Sequence, residues 1–125
     1  MTDALRDELA DLTLDLIKVE SVTGNETEIA ERVAQWFGTR VPADWIDHVG
    51  NSVIVAPPEN GKPMVGFFGH LDTVPGREDQ PPRRDDGFVY GTGASDMKGA
   101  LAVKMLLATR MRLEDLNIRP VFVFY

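Results

Sequence analysis

Three residues in this sequence have the chemistry and spacing of a metal-binding site: His70, Asp72 and Asp96. His70 and Asp72 follow directly on the apolar run "MVGFFG", which is typical of a strand covered on both faces. Alternate residues of an extended segment point to the same side, so both side chains can face one pocket. An imidazole that binds metal usually donates its other N–H to a carboxylate, and His-x-Asp supplies both partners. The alternative is an ordinary loop histidine hydrogen-bonded to a neighbouring aspartate.

Asp96 lies in "GTGASDMKGA", at the start of a predicted helix. A carboxylate there can simply cap free N–H groups. The surrounding residues nevertheless break local preferences: two glycines precede it, Gly99 weakens the first turn, and Lys98 lies at the positive end of the helix dipole. Such conflicts concentrate at functional sites. His70 and Asp96 together therefore indicate a hard-ligand metal site, suited to zinc, cobalt or manganese.

The first half of the chain predicts two helices and a hairpin. Leucines at spacings of four, three and four indicate an amphipathic helix over 3–19. A second apolar stripe ends at Gly38 and can be capped by Thr23 or Asn25. Apolar stretches on both sides of Gly50 and Asn51 predict the hairpin. These elements form the scaffold on which a site can be built.

The second half predicts a strand–helix–strand unit. "MVGFFG" is the first strand, a surface loop runs from His70 to Asp86, "FVYGTG" can add a short strand, and a helix spans 96–112. "IRPVFVFY" is the last strand, parallel to the first. Ligands of such sheets bind beyond the carboxyl ends of the strands, which is where His70 and Asp72 fall.

Composition excludes several classes of function. The chain has 125 residues, the size of one domain, with 13 basic and 20 acidic residues and a net charge of −7. This charge opposes nonspecific binding to nucleic acid or anionic membranes. The absence of cysteine restricts any metal site to His, Asp and Glu ligands. No apolar run suits a membrane span or a signal peptide, so a cytoplasmic location is expected.

Other common catalytic and cofactor-binding motifs are incomplete or absent. "GTGASD" departs from the dinucleotide fingerprint at its last position, Asp96. The sequence has no phosphate-binding loop and no G-x-S-x-G nucleophile elbow. Ser95 has only His70 as a possible base, and His48 is expected on the surface of the hairpin.

Taken together, "GHLDTVP" and "YGTGASDMKGALA" resemble the two N-terminal motifs of the di-zinc amidohydrolase and exopeptidase family. "SVTGNE" is similar to the family's "PSxSGxE" stretch, although Glu20 stands where proline is usual. The resemblance implies an α/β three-layer sandwich with a mixed, largely parallel central sheet. The chain would be the N-terminal part of the metal-binding catalytic domain, ending after a central strand. The remainder of that domain and an inserted lid or dimerisation domain would lie outside it.

The resemblance also implies roles for the site residues. His70 would ligate one zinc, Asp72 would orient that histidine as a catalytic residue, and Asp96 would bridge two zincs. The implied reaction is hydrolysis of an amide bond in a small N-acyl amino acid by a homodimeric parent enzyme. The overall likeness favours N-succinyl-diaminopimelate as substrate, with acetylornithine deacetylase or metallo-carboxypeptidase activity as alternatives.

The family's general-base glutamate and remaining metal ligands have no counterpart in this sequence. The isolated chain is therefore expected to be inactive and to bind zinc weakly, because catalytic zinc sites usually have three protein ligands. A rival from another class stays open. In it, the same fold is a non-catalytic domain that uses its pocket or edge strand for binding.

Overall fold

Two small sheets and three α-helices make up the structure, a computed structural model that describes residues 1–125. The helices are α1 (Asp3–Lys18), α2 (Thr27–Gly38) and α3 (Gly99–Arg110). The strands are β1 (Ile46–Val49), β2 (Ser52–Val55), β3 (Met64–Gly69), β4 (Arg83–Asp85), β5 (Phe88–Tyr90) and β6 (Arg119–Phe124). No helix has the length and hydropathy needed to cross a membrane.

The main sheet has the strand order β1-β2-β6-β3. The predicted hairpin is confirmed as the antiparallel pair β1–β2, and β3 and β6 are parallel as predicted. In a separate hairpin, β4 lies in the stretch expected to be loop, and β5 is the short strand predicted in "FVYGTG". The α/β class and mixed sheet are therefore confirmed. Within residues 1–125, however, β3–β6 is the one parallel pair and β2 joins β6 antiparallel.

All three helices contribute to a single core on one face of the main sheet. Because side chains alternate along a strand, one face of β2 and β6 points into this core. Its strand residues are Val53, Val55, Phe122 and Phe124, and Phe37 of α2 packs its ring 5.5 Å from that of Phe124. The core holds α2 against β1 and β2, and α3 against β3 and β6.

The opposite face of the sheet is open, which corrects the prediction that "MVGFFG" is covered on both faces. β3 is an edge strand, and Met64 and Phe68 are 65% and 60% exposed. A short apolar run does not by itself distinguish an edge strand from a central one. The expected third layer is thus not formed by these 125 residues.

Two helix boundaries also differ from the prediction. α2 begins at Thr27, so neither Thr23 nor Asn25 caps it, and the side chain of Glu26 at the cap position makes no capping bond to the helix. α3 begins at Gly99, because Asp96 and Met97 have non-helical backbone angles. In both cases polar residues just before the helix make contacts elsewhere, and these contacts form the candidate site.

Candidate metal centre

A surface hollow of about 370 Å³ lies at the carboxyl end of β3. It collects all three predicted site residues, and its lining includes His70, Asp72, Thr73, Gly93, Ser95 and Asp96. His48 is exposed on β1 and takes no part, as expected. The strand–helix–strand unit therefore brings the two motifs together, as their order along the chain predicts.

His70 is fixed by the end of the parallel ladder. The N–H of Tyr125 donates to the carbonyl of Gly69 at 3.0 Å, and the N–H of Leu71 donates to the carbonyl of Tyr125 at 2.5 Å. The backbone N–H of His70 contacts Sδ of Met97 at 3.3 Å, which ties it to the segment carrying Asp96. The imidazole is thus held between two elements of the fold.

Both ring nitrogens of His70 face oxygen acceptors. Nδ1 lies 2.9 Å from the backbone carbonyl of Asp72 and 3.2 Å from its Oδ1. A carbonyl has no hydrogen to give, so Nδ1 is the donor there. Nε2 lies 2.8 Å from Oδ1 of Asp96. With Nδ1 protonated, the neutral ring has a lone pair on Nε2, so this nitrogen and the carboxylate can share either a proton or a metal cation.

The protonation equilibria reflect this arrangement. Burial lowers the pKa of His70, but the hydrogen bond with Asp96 and the contacts with Asp72 outweigh it, and the net result is a raised pKa. The hydroxyl of Thr23 lowers the pKa of Asp72, and the neighbouring imidazole adds to the effect against the opposing influence of burial. Asp72 is therefore held as a carboxylate.

Asp96 is presented by an irregular turn. Residues Ala94–Lys98 form a π-type turn, in which Asp96 has φ −133° and ψ 87°. Its side chain is 87% exposed and makes no capping bond to α3, so the simple capping role is wrong. The Asp96–Met97 peptide bond is cis. The turn projects the carboxylate towards His70.

Glycine is required in this turn. Gly93 has φ +80°, where side chains are strained, and a Cβ there would lie 2.5 Å from the methyl group of Thr73. A Cβ at Gly99 would lie 2.9 Å from the carbonyl oxygen of Ala94. Gly99 thus packs closely against Ala94, and both glycines let the Asp96 turn pack tightly.

Lys98, the last residue of this turn, is almost completely buried. Its Nζ donates to the carbonyl of Val19, at the end of α1, at 2.7 Å. Burial lowers the pKa of Lys98 to about 8, with the charge of Glu20 opposing the shift. The apparent conflict with the helix dipole is explained, since the ammonium bonds to the end of a different helix.

Sequence reasoning missed the contribution of the α1–α2 connection. Oγ of Ser21 donates to the carbonyl of Leu71 at 2.8 Å, and Oγ1 of Thr23 donates to Oδ2 of Asp72 at 2.5 Å. The available signal is the polar stretch "SVTGNE", which in isolation predicts a cap for α2. Its side chains instead support the loop that carries His70.

The types of donor atom fit a divalent metal, but the site has fewer metal-binding side chains than a complete centre needs. An imidazole nitrogen and a carboxylate oxygen suit zinc, cobalt or manganese. The structure has no group of three or more His, Cys, Asp or Glu residues able to hold a metal ion. Ser95 lines the hollow, yet both nitrogens of His70 are directed to aspartates, so no serine–histidine pair forms.

Comparison with known proteins identifies the family of the chain. The sequence pattern of peptidase family M20/M25/M40 matches residues 66–124, a range that includes His70, Asp72 and Asp96. The chain belongs to this family. The M20 pattern therefore extends from β3 through the Asp96 turn and α3 to β6.

Individual relatives match most of the chain. Over 98 residues, 78% of this chain, it is 41% identical to an Aeropyrum pernix protein named as a LysW-lysine/LysW-ornithine hydrolase. Over 113 residues, 86% of the chain, it is 33% identical to the succinyl-diaminopimelate desuccinylase of Corynebacterium glutamicum. These alignments cover 27% and 31% of those relatives, so the chain spans about a third of their length or less.

A solved structure supports the fold. The YxeP protein of Bacillus subtilis, described as a dinuclear metal binding peptidase from the M20 family, superposes with a TM-score of 0.64. The match covers 99% of this chain and 36% of that protein, at 20% sequence identity. At this identity the likeness establishes the M20 fold.

Proposed function

We propose that this chain is the part of an M20 enzyme's catalytic domain that supplies His70 and Asp96 to a two-metal centre. The enzyme hydrolyses an amide bond in a small N-acyl amino acid. The observation that carries the proposal is the 2.8 Å approach of Nε2 of His70 to Oδ1 of Asp96, with Nδ1 engaged by Asp72. Zinc is the proposed metal, two ions per complete subunit, and cobalt or manganese fits the same donors.

Each of the three residues has a distinct task in this reaction. His70 offers its Nε2 lone pair, and Asp72 holds the ring by accepting from Nδ1, which fixes the tautomer. Asp96 is largely exposed, so its second oxygen is free to bridge to a second ion. When bound, a metal pair supplies the Lewis acidity that polarises the amide carbonyl and acidifies the attacking water.

The chain alone is proposed to be inactive. Amide hydrolysis needs a general base to accept the proton of the attacking water. No glutamate lines the hollow, and its two aspartates are committed to His70. Two metal-binding side chains also fall short of the three that catalytic zinc sites usually have. We propose that the general base and the further metal ligands are residues outside these 125.

The substrate that we propose is N-succinyl-diaminopimelate, hydrolysed to succinate and diaminopimelate. The 33% identity to a succinyl-diaminopimelate desuccinylase supports it. A second candidate is hydrolysis of LysW-lysine or LysW-ornithine, favoured by the 41% identity to a protein of that name. Acetylornithine deacetylation is the further alternative within the same class of reaction.

An assay of the complete protein that contains this chain tests the proposal. Turnover of N-succinyl-diaminopimelate, LysW-lysine and acetylornithine is compared with and without a chelator. We expect hydrolysis that is lost with the chelator and in the His70→Ala variant, while His48→Ala, an exposed histidine on β1, retains it. Turnover that survives both the chelator and His70→Ala would refute the metal-dependent mechanism, and binding of these compounds without turnover would favour a non-catalytic domain.

A further inference from the structure

We propose that Thr23 is a positioning residue for the metal centre, acting through Asp72. The "SVTGNE" stretch lies far from the site in sequence, with Thr23 49 residues before Asp72, yet the hydroxyl of this threonine contacts the Asp72 carboxylate. The inference rests on the proposed function, because it concerns how His70 is prepared to bind metal.

The contacts assign the hydroxyl proton of Thr23 to Asp72. Oγ1 of Thr23 lies 2.5 Å from Oδ2 of Asp72 and 3.4 Å from the carbonyl of Thr73. A hydroxyl has a single proton to donate, and the nearer acceptor is also the charged one. The other oxygen of Asp72, Oδ1, lies 3.2 Å from Nδ1 of His70. The carboxylate therefore bridges Thr23 and His70 through its two oxygens.

The backbone fixes Thr23 relative to Asp72. Val22 and Thr73 form an isolated parallel bridge, in which Thr73 N–H donates to Ser21 at 2.8 Å and Thr23 N–H donates to Thr73 at 3.1 Å. These two bonds attach the connection to the segment that follows Asp72. The position of the Thr23 hydroxyl is thus fixed by backbone pairing close to the short side chain.

A tight turn keeps the connection in this position. Asn25 N–H donates to the carbonyl of Val22 at 2.8 Å, and Gly24 adopts φ +93°. The Gly24 N–H donates to a carboxylate oxygen of Glu26 at 2.7 Å. Little conformational entropy remains to be lost when Thr23 meets Asp72, because the turn is already ordered.

Loss of the Thr23 hydroxyl should make the Asp72 carboxylate more mobile, while the His70 ring keeps one of its hydrogen bonds. The Asp72 side chain is 31% exposed, so without Thr23 it can rotate towards solvent. Nδ1 of His70 would keep its 2.9 Å bond to the Asp72 backbone carbonyl. Loss of an outer-shell partner typically weakens metal affinity by about 10- to 100-fold, and the surviving bond places the expected effect near 10-fold.

The test compares Thr23→Val, which keeps the branched shape without the hydroxyl, with Thr23→Ser, which keeps the hydroxyl. Thr39→Val, at an exposed threonine after α2, is the matched control. Zn²⁺ is titrated into the chain and followed by backbone amide and imidazole NMR signals. We expect about 10-fold weaker binding for Thr23→Val, and binding within about twofold of the unaltered chain for Thr23→Ser and Thr39→Val.

A second readout uses the metal-free chain and separates positioning from folding. The χ1 couplings of Asp72 should report one rotamer in the unaltered chain and in Thr23→Ser, and averaged rotamers in Thr23→Val. In an Asp72→Ala background, Thr23→Val should cause no further loss of Zn²⁺ affinity, because the two residues act as one unit.

The outcomes distinguish this inference from the proposed function. If Thr23→Val binds Zn²⁺ like the unaltered chain while His70→Ala binds far more weakly, the role of Thr23 is overturned and the metal centre stands. Equal losses in Thr23→Val and Thr23→Ser would also overturn it, since the hydroxyl would then be irrelevant. If His70→Ala leaves Zn²⁺ affinity unchanged, the metal centre and the role of Thr23 fail together.

Discussion

Lys98→Met should abolish a gain in stability that the unaltered chain shows at alkaline pH. Lys98 is only 2% exposed, and burial lowers its pKa from 10.5 to about 8. Between these two values the unfolded chain binds more protons than the folded one, so the free energy of unfolding rises with pH across this window. Below about pH 8 the cost of burying the ammonium is fully present.

The size of the effect follows from the two pKa values. The difference between 10.5 and about 8 corresponds to about 3 kcal/mol in all, of which about 2 kcal/mol should be gained between about pH 7.5 and 10. Methionine has no titrating group, so the variant should lose this gain. At neutral pH the loss of the bond to Val19 is offset by relief of the buried charge, which keeps the two proteins close in stability.

Urea unfolding of the metal-free chain at several pH values measures the difference. Other titrating groups are common to both proteins and cancel when the two curves are subtracted. Lys104→Met, at a half-buried lysine on α3, is the matched control and should keep the alkaline gain. If unaltered chain and Lys98→Met show parallel curves between pH 7.5 and 10, the ammonium is not buried as described.

Three further substitutions test the support of the site and the open sheet face. Ser21→Ala should cost about 1–3 kcal/mol in urea unfolding, because the buried carbonyl of Leu71 loses its hydroxyl donor; no measurable loss would contradict this bond. Gly93→Ala should destabilise by about 1–3 kcal/mol, since φ +80° is strained and the methyl group would meet Thr73; a thermal melt unchanged from the original would refute it. The exposed apolar face of β3 predicts concentration-dependent self-association, so Phe68→Ser should reduce it in analytical ultracentrifugation and change stability by less than about 0.5 kcal/mol. Equal association of both proteins would show that this face is not the cause.

The periodic parts of the fold could be predicted from the sequence. α1 and the β1–β2 hairpin follow from the spacing of their apolar residues, and the parallel pairing of β3 and β6 follows from the helix between them. In such sheets, ligands bind beyond the carboxyl ends of the strands, and this rule predicts that His70 and Asp96 meet there. These features depend on local pattern and on topology.

The features that could not be predicted depend on distant contacts. Whether β3 is covered on one face or on both depends on what packs against it, and its apolar sequence is compatible with either arrangement. The polar residues of "SVTGNE" suit a helix cap in isolation, and only the bridge to Thr73 directs Thr23 to Asp72 instead. Lys98 breaks a helix-dipole preference until the carbonyl of Val19, 79 residues away in sequence, is placed beside it.

The central claim is that His70 and Asp96 hold the same metal ion. Anomalous X-ray scattering at the zinc edge, from crystals of the complete protein grown with Zn²⁺, measures this directly. We expect a peak about 2.0–2.2 Å from both Nε2 of His70 and a carboxylate oxygen of Asp96. A protein that hydrolyses its substrate with Zn²⁺ bound elsewhere, and no peak between these two side chains, would contradict it.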